Sequence, residues 1–203
     1  MNFSIPAYLS NFSTLDDQRT IAKLKTFYVG ETGDGRVFTK DFSEELVKSI
    51  AYTPVVAFYS DLKDDFIGHN GKQYIYGIVR PDAEYGFETD DEGNLCLKEH
   101  YLEVPIGVIP ESNNYRLEKV NGHNWVVVDG YIWKSYSNEG FEILKRDEEK
   151  SVSMEITVNR GEFSKNVYNI LDYTYLGVTV LGSDVAPGIS GARIKMDFST
   201  NDN

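Results

Sequence analysis

Cysteine is almost absent from this chain: one, Cys96, in 203 residues. No intramolecular disulfide can form, which fits a reducing compartment. Long apolar runs are missing as well. No stretch of about 18 apolar residues occurs, so no membrane-spanning helix and no membrane role are expected. The opening residues, "MNFSIPAYLSNFS", have no basic start leading into an apolar stretch and do not read as a secretory signal. Positive charge is scarce. The chain has 20 basic against 32 acidic side chains, a formal charge of −12. A phosphate-binding surface, and with it a nucleic-acid partner, is disfavoured.

Ligand patterns are lacking too. "DDFIGH" and "EH" are too sparse for a metal site. "TDDEGN" lacks the ligand spacing of a calcium loop and reads as a hairpin turn. "GETGDG" has glycines but not the order of a phosphate loop or a dinucleotide fingerprint. No metal and no cofactor is expected. There is no internal repeat and no low-complexity tract.

What is present suits one domain with a real core: 41% apolar and 26% charged residues. Residues 1–18 read as a loose arm, 19–196 as the folded domain and 197–203 as a polar tail. "TIAKLKTFYVG", "PVVAFYS", "QYIYGIVR", "LCLKEHYL", "NWVVVDGYIW", "SVSMEITV" and "NVYNILDYTYLGVTVLG" predict strands, the last as one or two. Helices are few. "TKDFSEELVKSI" carries a capping box, Asp41 with Glu44, and an apolar stripe of Phe42, Leu46 and Ile50. "SNEGFEILKRDEEK" predicts a short helix and a charged turn. With no βαβ rhythm, the fold class is α+β: a mostly antiparallel small β-barrel with a few peripheral helices.

Chemistry centres on "KSVSMEITV", residues 150–158. Side chains on a strand alternate faces. Val152, Met154, Ile156 and Val158 share an apolar face; Ser151, Ser153, Glu155 and Thr157 share a polar one. That pattern fits an amphipathic surface strand, and it also fits a strand presenting a nucleophile. A serine hydroxyl needs a base to take its proton. The chain has three histidines, His69, His100 and His123. His69, in the loop "GHNG" before a strand, is best placed to face a cleft. His100 falls on a hairpin strand and His123 in a turn, where structural or solvated roles suffice. Cys96, between Leu95 and Leu97, reads as a small half-buried hydrophobe rather than a thiol nucleophile.

Three segments in order, "GHNGKQYIYGIV" (68–79), "KSVSMEITV" (150–158) and "YLGVTVLGSDVAPGISGARI" (175–194), resemble the prohead, or capsid maturation, serine proteases of tailed bacteriophages. These are related in fold to the herpesvirus assemblins. "FTKDFSEELVKSIAYTPV" (38–55) resembles the front part of a subgroup from phages of Gram-positive bacteria. The similarity spans roughly residues 25–196.

The resemblance implies a serine endopeptidase on a small β-barrel with peripheral helices. Ser153 would be the nucleophile and His69 the general base. The implied substrates are the phage major capsid protein and scaffold protein, and the enzyme itself, inside the assembling prohead in the host cytoplasm. Self-association into a homo-oligomer is compatible with it.

The match would place the oxyanion-hole backbone in "LGSD", at Gly182 and Ser183. One position departs from the family. Where its members carry a glutamate or a second histidine to orient the base, this chain has Gly177. Loss of such a member can cost on the order of 10⁴ in rate, about 5 kcal/mol of barrier. Glu155, two residues along the strand from Ser153, is the candidate substitute, with a solvated strand carboxylate as the other reading. Asp172 and Asp184 are weaker candidates.

Gly177 also favours a rival, a catalytically inactive structural or scaffold-binding capsid protein on the same fold. An unrelated small-molecule-binding barrel is the third class.

Overall fold

The computed structural model describes residues 18–28, 30–31, 36–38, 49–68, 72–75, 98–165 and 167–196. The expected helix over "TKDFSEELVKSI" apart from Ser49 and Ile50, the N-terminal arm apart from Gln18, the polar tail, Cys96 and His69 lie outside the described residues.

Among the described residues, fourteen strands and one helix follow along the chain. They are β1 (Arg19–Tyr28), β2 (Gly30–Glu31), β3 (Arg36–Phe38), β4 (Pro54–Ala57), β5 (Tyr59–Ser60), β6 (Asp65–Phe66) and β7 (Lys72–Ile75). Then come β8 (Lys98–Tyr101), β9 (Val104–Val108), β10 (Arg116–Val120), β11 (His123–Trp133), α1 (Asn138–Asp147), β12 (Glu149–Ser164), β13 (Val167–Val180) and β14 (Arg193–Met196).

Seven strands close a barrel in the order β12–β14–β1–β11–β9–β4–β13, and β13 pairs back to β12. The mostly antiparallel small barrel with few helices is therefore what the chain forms. Two ladders depart from antiparallel pairing: β4 and β3 both run parallel to β13. Strands β7 and β8 pair antiparallel as a separate two-stranded sheet, and the turn expected at "TDDEGN" lies outside the described residues.

The barrel closes because alternate residues along each strand are apolar and point inward. Leu24, Val55, Val126, Val128, Ile132, Val152, Val178, Val180 and Ile194 have no exposed surface. An aromatic cluster fills one part, with Phe27 edge-on to Tyr173 and Tyr173 edge-on to Tyr175 and Phe38. Such edge-to-face pairs add to the burial of the rings.

Helix α1 packs against β11, β12 and β14 through Ile143 and Leu144. Glu139 in its first turn and Lys145 and Arg146 in its last complement the helix dipole. No helix among the described residues is long and apolar enough to cross a membrane.

Two strands are longer than their sequence suggests. β12 runs on to Ser164 and β13 is one continuous strand of 14 residues. Their outer halves form an arm in which β13 also pairs with β3. The expected parity of β12 already fails at Ser153, which is buried next to Val152, and again at Val158, which is 37% exposed. Register shifts between Glu155 and Ile156, and again after Val158, turn the strand out of the barrel.

Candidate functional site around Ser153

Ser153 lies on β12 opposite Thr179 of β13, and Glu155 lies opposite Gly177. These two rungs share one face, since no register shift separates them. The face expected to meet solvent is covered: Ser153 is 7% exposed and Thr179 is fully buried. The Thr179 hydroxyl donates to Glu155 Oε1 at 2.9 Å, and Glu103 Oε1 stands 3.5 Å from the same oxygen. Gly177 is tight against β4; a β-carbon there would come within 3.0 Å of the Pro54 carbonyl. So the glycine serves the β4–β13 contact, and Glu155 stands across from it on β12.

The lid over Ser153 is the segment between β13 and β14. Gly188 lies so close that a β-carbon on it would be 3.3 Å from Ser153 Oγ. β14 ladders with β12 only as far as Ser151 and with β1 only as far as Lys25. Beyond that point no described strand fills the space between β1 and β12. A small pocket of about 40 Å³ opens there, with Thr26, Phe38, Ser153, Met154, Gly188 and Ile189 in its wall.

A buried ion cluster sits three residues before Ser153. The Lys150 side chain is 3% exposed and donates to Asp65 Oδ1 at 2.7 Å, Asp147 Oδ2 at 2.6 Å and Ser183 Oγ at 2.7 Å. Asp65 also accepts from the amides of Phe66 and Ser183. Burial opposes ionisation of Asp65, but these hydrogen bonds outweigh it and hold its pKa below the usual carboxylate value. The paired Arg146 guanidinium, helped by Lys150, lowers Asp147 to about 2. In return, Arg146 is held above the ordinary arginine value by Asp147.

This cluster corrects one expectation. The Gly182 amide donates to Ile67 O at 2.9 Å, and the Ser183 amide to Asp65 Oδ2 at 2.9 Å. A side chain at Gly182 would overlap the Phe66 carbonyl. Both amides anchor loops, so neither is available as an oxyanion donor in this arrangement.

The other sequence candidates fall as follows. His69 is outside the described residues, but Gly68, directly before it, lies beside the same lid segment: a β-carbon on it would be 3.4 Å from the Val185 side chain. His100 is on β8, paired with Gln73. His123 begins β11, exposed, its ring 4.0 Å from the Tyr28 ring. Asp172 is out on the arm opposite Arg160. Asp184 is exposed and bound to Lys63 at 2.7 Å, which lowers its pKa. No group of three or more His, Cys, Asp or Glu among the described residues is arranged to hold a metal ion.

Sequence reasoning missed Thr179, Gly188 and the Lys150 cluster. Lys150 had a signal: it shares the parity of Val152 and Ile156, so a charge stands on the inward face and demands partners.

No curated protein and no solved structure matches the chain. One family model does, the YonD N-terminal domain, over residues 17–203. YonD is a gene of a Bacillus prophage, which suggests a phage-related protein. The chain belongs to the YonD N-terminal domain family.

Proposed function

We propose that this chain is a serine endopeptidase of phage prohead maturation, with Ser153 as nucleophile and His69 as general base. One observation carries the reading. The lid segment touches Ser153 through Gly188 and touches Gly68, the neighbour of His69, through Val185. Two candidates 84 positions apart in sequence are thus tied to one short stretch of chain.

In this reading Ser153 Oγ attacks the scissile carbonyl while its proton passes to the imidazole. The C–N bond then breaks, and the same proton goes to the leaving amine. Water, deprotonated by the imidazole, releases the acyl group. Glu155 orients the histidine. Its Oε1 accepts from Thr179, and a carboxylate has capacity for further donors. With Gly182 and Ser183 committed elsewhere, the backbone at Gly188, against Ser153 Oγ, supplies the oxyanion donor. Scaffold and capsid-protein segments enter as extended chains, because strand pairing gives affinity with little sequence demand.

The test is co-expression with the capsid and scaffold proteins of the same phage, read by intact mass. Wild type yields shortened products and Ser153→Ala does not; identical masses overturn the reading.

A second reading, a non-enzymatic capsid assembly component, draws support from the burial of Ser153 and from Gly177. It predicts those identical masses together with normal proheads from Ser153→Ala.

A further inference from the structure

We infer that Lys150 is a positioning residue for this site, an inference that rests on the protease reading. Its ammonium is the joint of three segments. Asp65 brings the chain that leads to Gly68 and so to the base. Ser183 brings the start of the lid that ends on Ser153. Lys150 itself stands on β12 in a run paired to β14, three positions from the nucleophile.

The backbone bonds beside it repeat the connection: Gly182 N–H to Ile67 O, Ser183 N–H to Asp65, and Leu181 N–H to Ser151 O. Nucleophile strand, the 65–68 segment and the lid are therefore registered against one another by one buried cation together with these backbone bonds. The fourth partner, Asp147, differs in kind. It ends α1 and ties Lys150 to the helix, not to either loop.

That difference gives the test. A fluorophosphonate probe reacts with an activated serine: the Oγ–P bond forms, the P–F bond breaks, fluoride leaves and the hydroxyl proton goes to the base. The rate of adduct formation at Ser153 is followed by mass for wild type, Lys150→Met, Asp65→Asn and Asp147→Asn.

Misplacement of a reacting group by about 1 Å costs on the order of 100-fold, the expected slowing in Lys150→Met and Asp65→Asn. Asp147→Asn loses stability but reacts within about two-fold of wild type, since the loops stay joined. Asp65→Asn keeps the test alive if Lys150→Met does not fold, and hydrogen exchange rises over 65–68 and 181–185 in both.

The pH profile separates positioning from mere loosening. The wild-type rate rises through an inflection near about 6.5, as a histidine base deprotonates. Lys150→Met loses that inflection. Equal rates and profiles in wild type, Lys150→Met and Asp65→Asn overturn the inference alone. A slowing in Asp147→Asn equal to that in Asp65→Asn also overturns it. A wild type that forms no adduct at Ser153 overturns the protease reading and this inference with it.

Discussion

The β12–β13 ladder has two halves with the same pairing and opposite environments. In the barrel half, Lys150, Val152, Ser153, Val178, Thr179 and Val180 are all buried. In the arm half, from Thr157 to Ser164, every residue but Gly161 is exposed, and Phe163 is 80% exposed against the edge of Tyr168. Antiparallel pairing runs through both, so pairing alone does not make a site. The barrel half gains a third layer, α1 and the lid segment, and only there do a serine, a carboxylate and a cation meet in fixed geometry.

The sharpest break of that comparison is chemical. Glu155 stands at the last rung before the register shifts. Glu155→Gln keeps a carbonyl oxygen for Thr179, so the fold is retained. In the proposed reaction it slows single-turnover cleavage by up to about 10⁴-fold, the cost of losing an orienting carboxylate. Unchanged rates would remove Glu155 from the site.

Next comes stability. Lys150→Met leaves the partly exposed Asp65 and Asp147 carboxylates without their shared buried partner and destabilises by about 1–3 kcal/mol in denaturant unfolding. Gly182→Ala forces a β-carbon onto the Phe66 carbonyl. It costs about 1–3 kcal/mol, the usual range for overpacking.

Acid gives a gentler probe. Asp65 and Asp147 both have lowered pKa values, Asp147 about 2 against 3.8 unfolded. The Asp147 contribution is full above its unfolded value of 3.8 and lost as pH falls through about 2, and that of Asp65 is lost in the same direction. The melting temperature should drop across that window, and less steeply in Asp147→Asn. At the small end, Phe163→Ala on the arm should shift stability by under about 0.5 kcal/mol. A larger loss would mean that the arm is a working part of the fold.

The sequence made much of this legible, for physical reasons that differ by element. β1, β11 and the barrel half of β12 announce themselves because one face is buried and alternation follows. α1 shows in the spacing of Ile143, Leu144 and Arg146. The arm did not show: "NRGEFS" has no buried face to impose a pattern. The parallel pairing of β4 with β13 joins segments with no local signal between them.

Parity put Ser153 and Glu155 on one face of β12 and the resemblance singled them out, but their register across from Thr179 and Gly177 could not be read. The amides of Gly182 and Ser183 were assigned to chemistry because glycine permits close approach. Which atom approaches is a tertiary matter, and here it is the Phe66 carbonyl and the Asp65 carboxylate.

The last barrel strand has a consequence in time. Leu24 of β1 pairs with Ile194 of β14, and Val55 of β4 pairs with Val178 of β13. Contacts this distant in sequence fold slowly, because the intervening loop must close first. During synthesis β1 leaves the ribosome long before its neighbour exists. Until β14 is made, the barrel stays open, Gly188 has no fixed place beside Ser153, and the serine is an ordinary one. The barrel around Ser153 closes only once the chain through Met196 has been made.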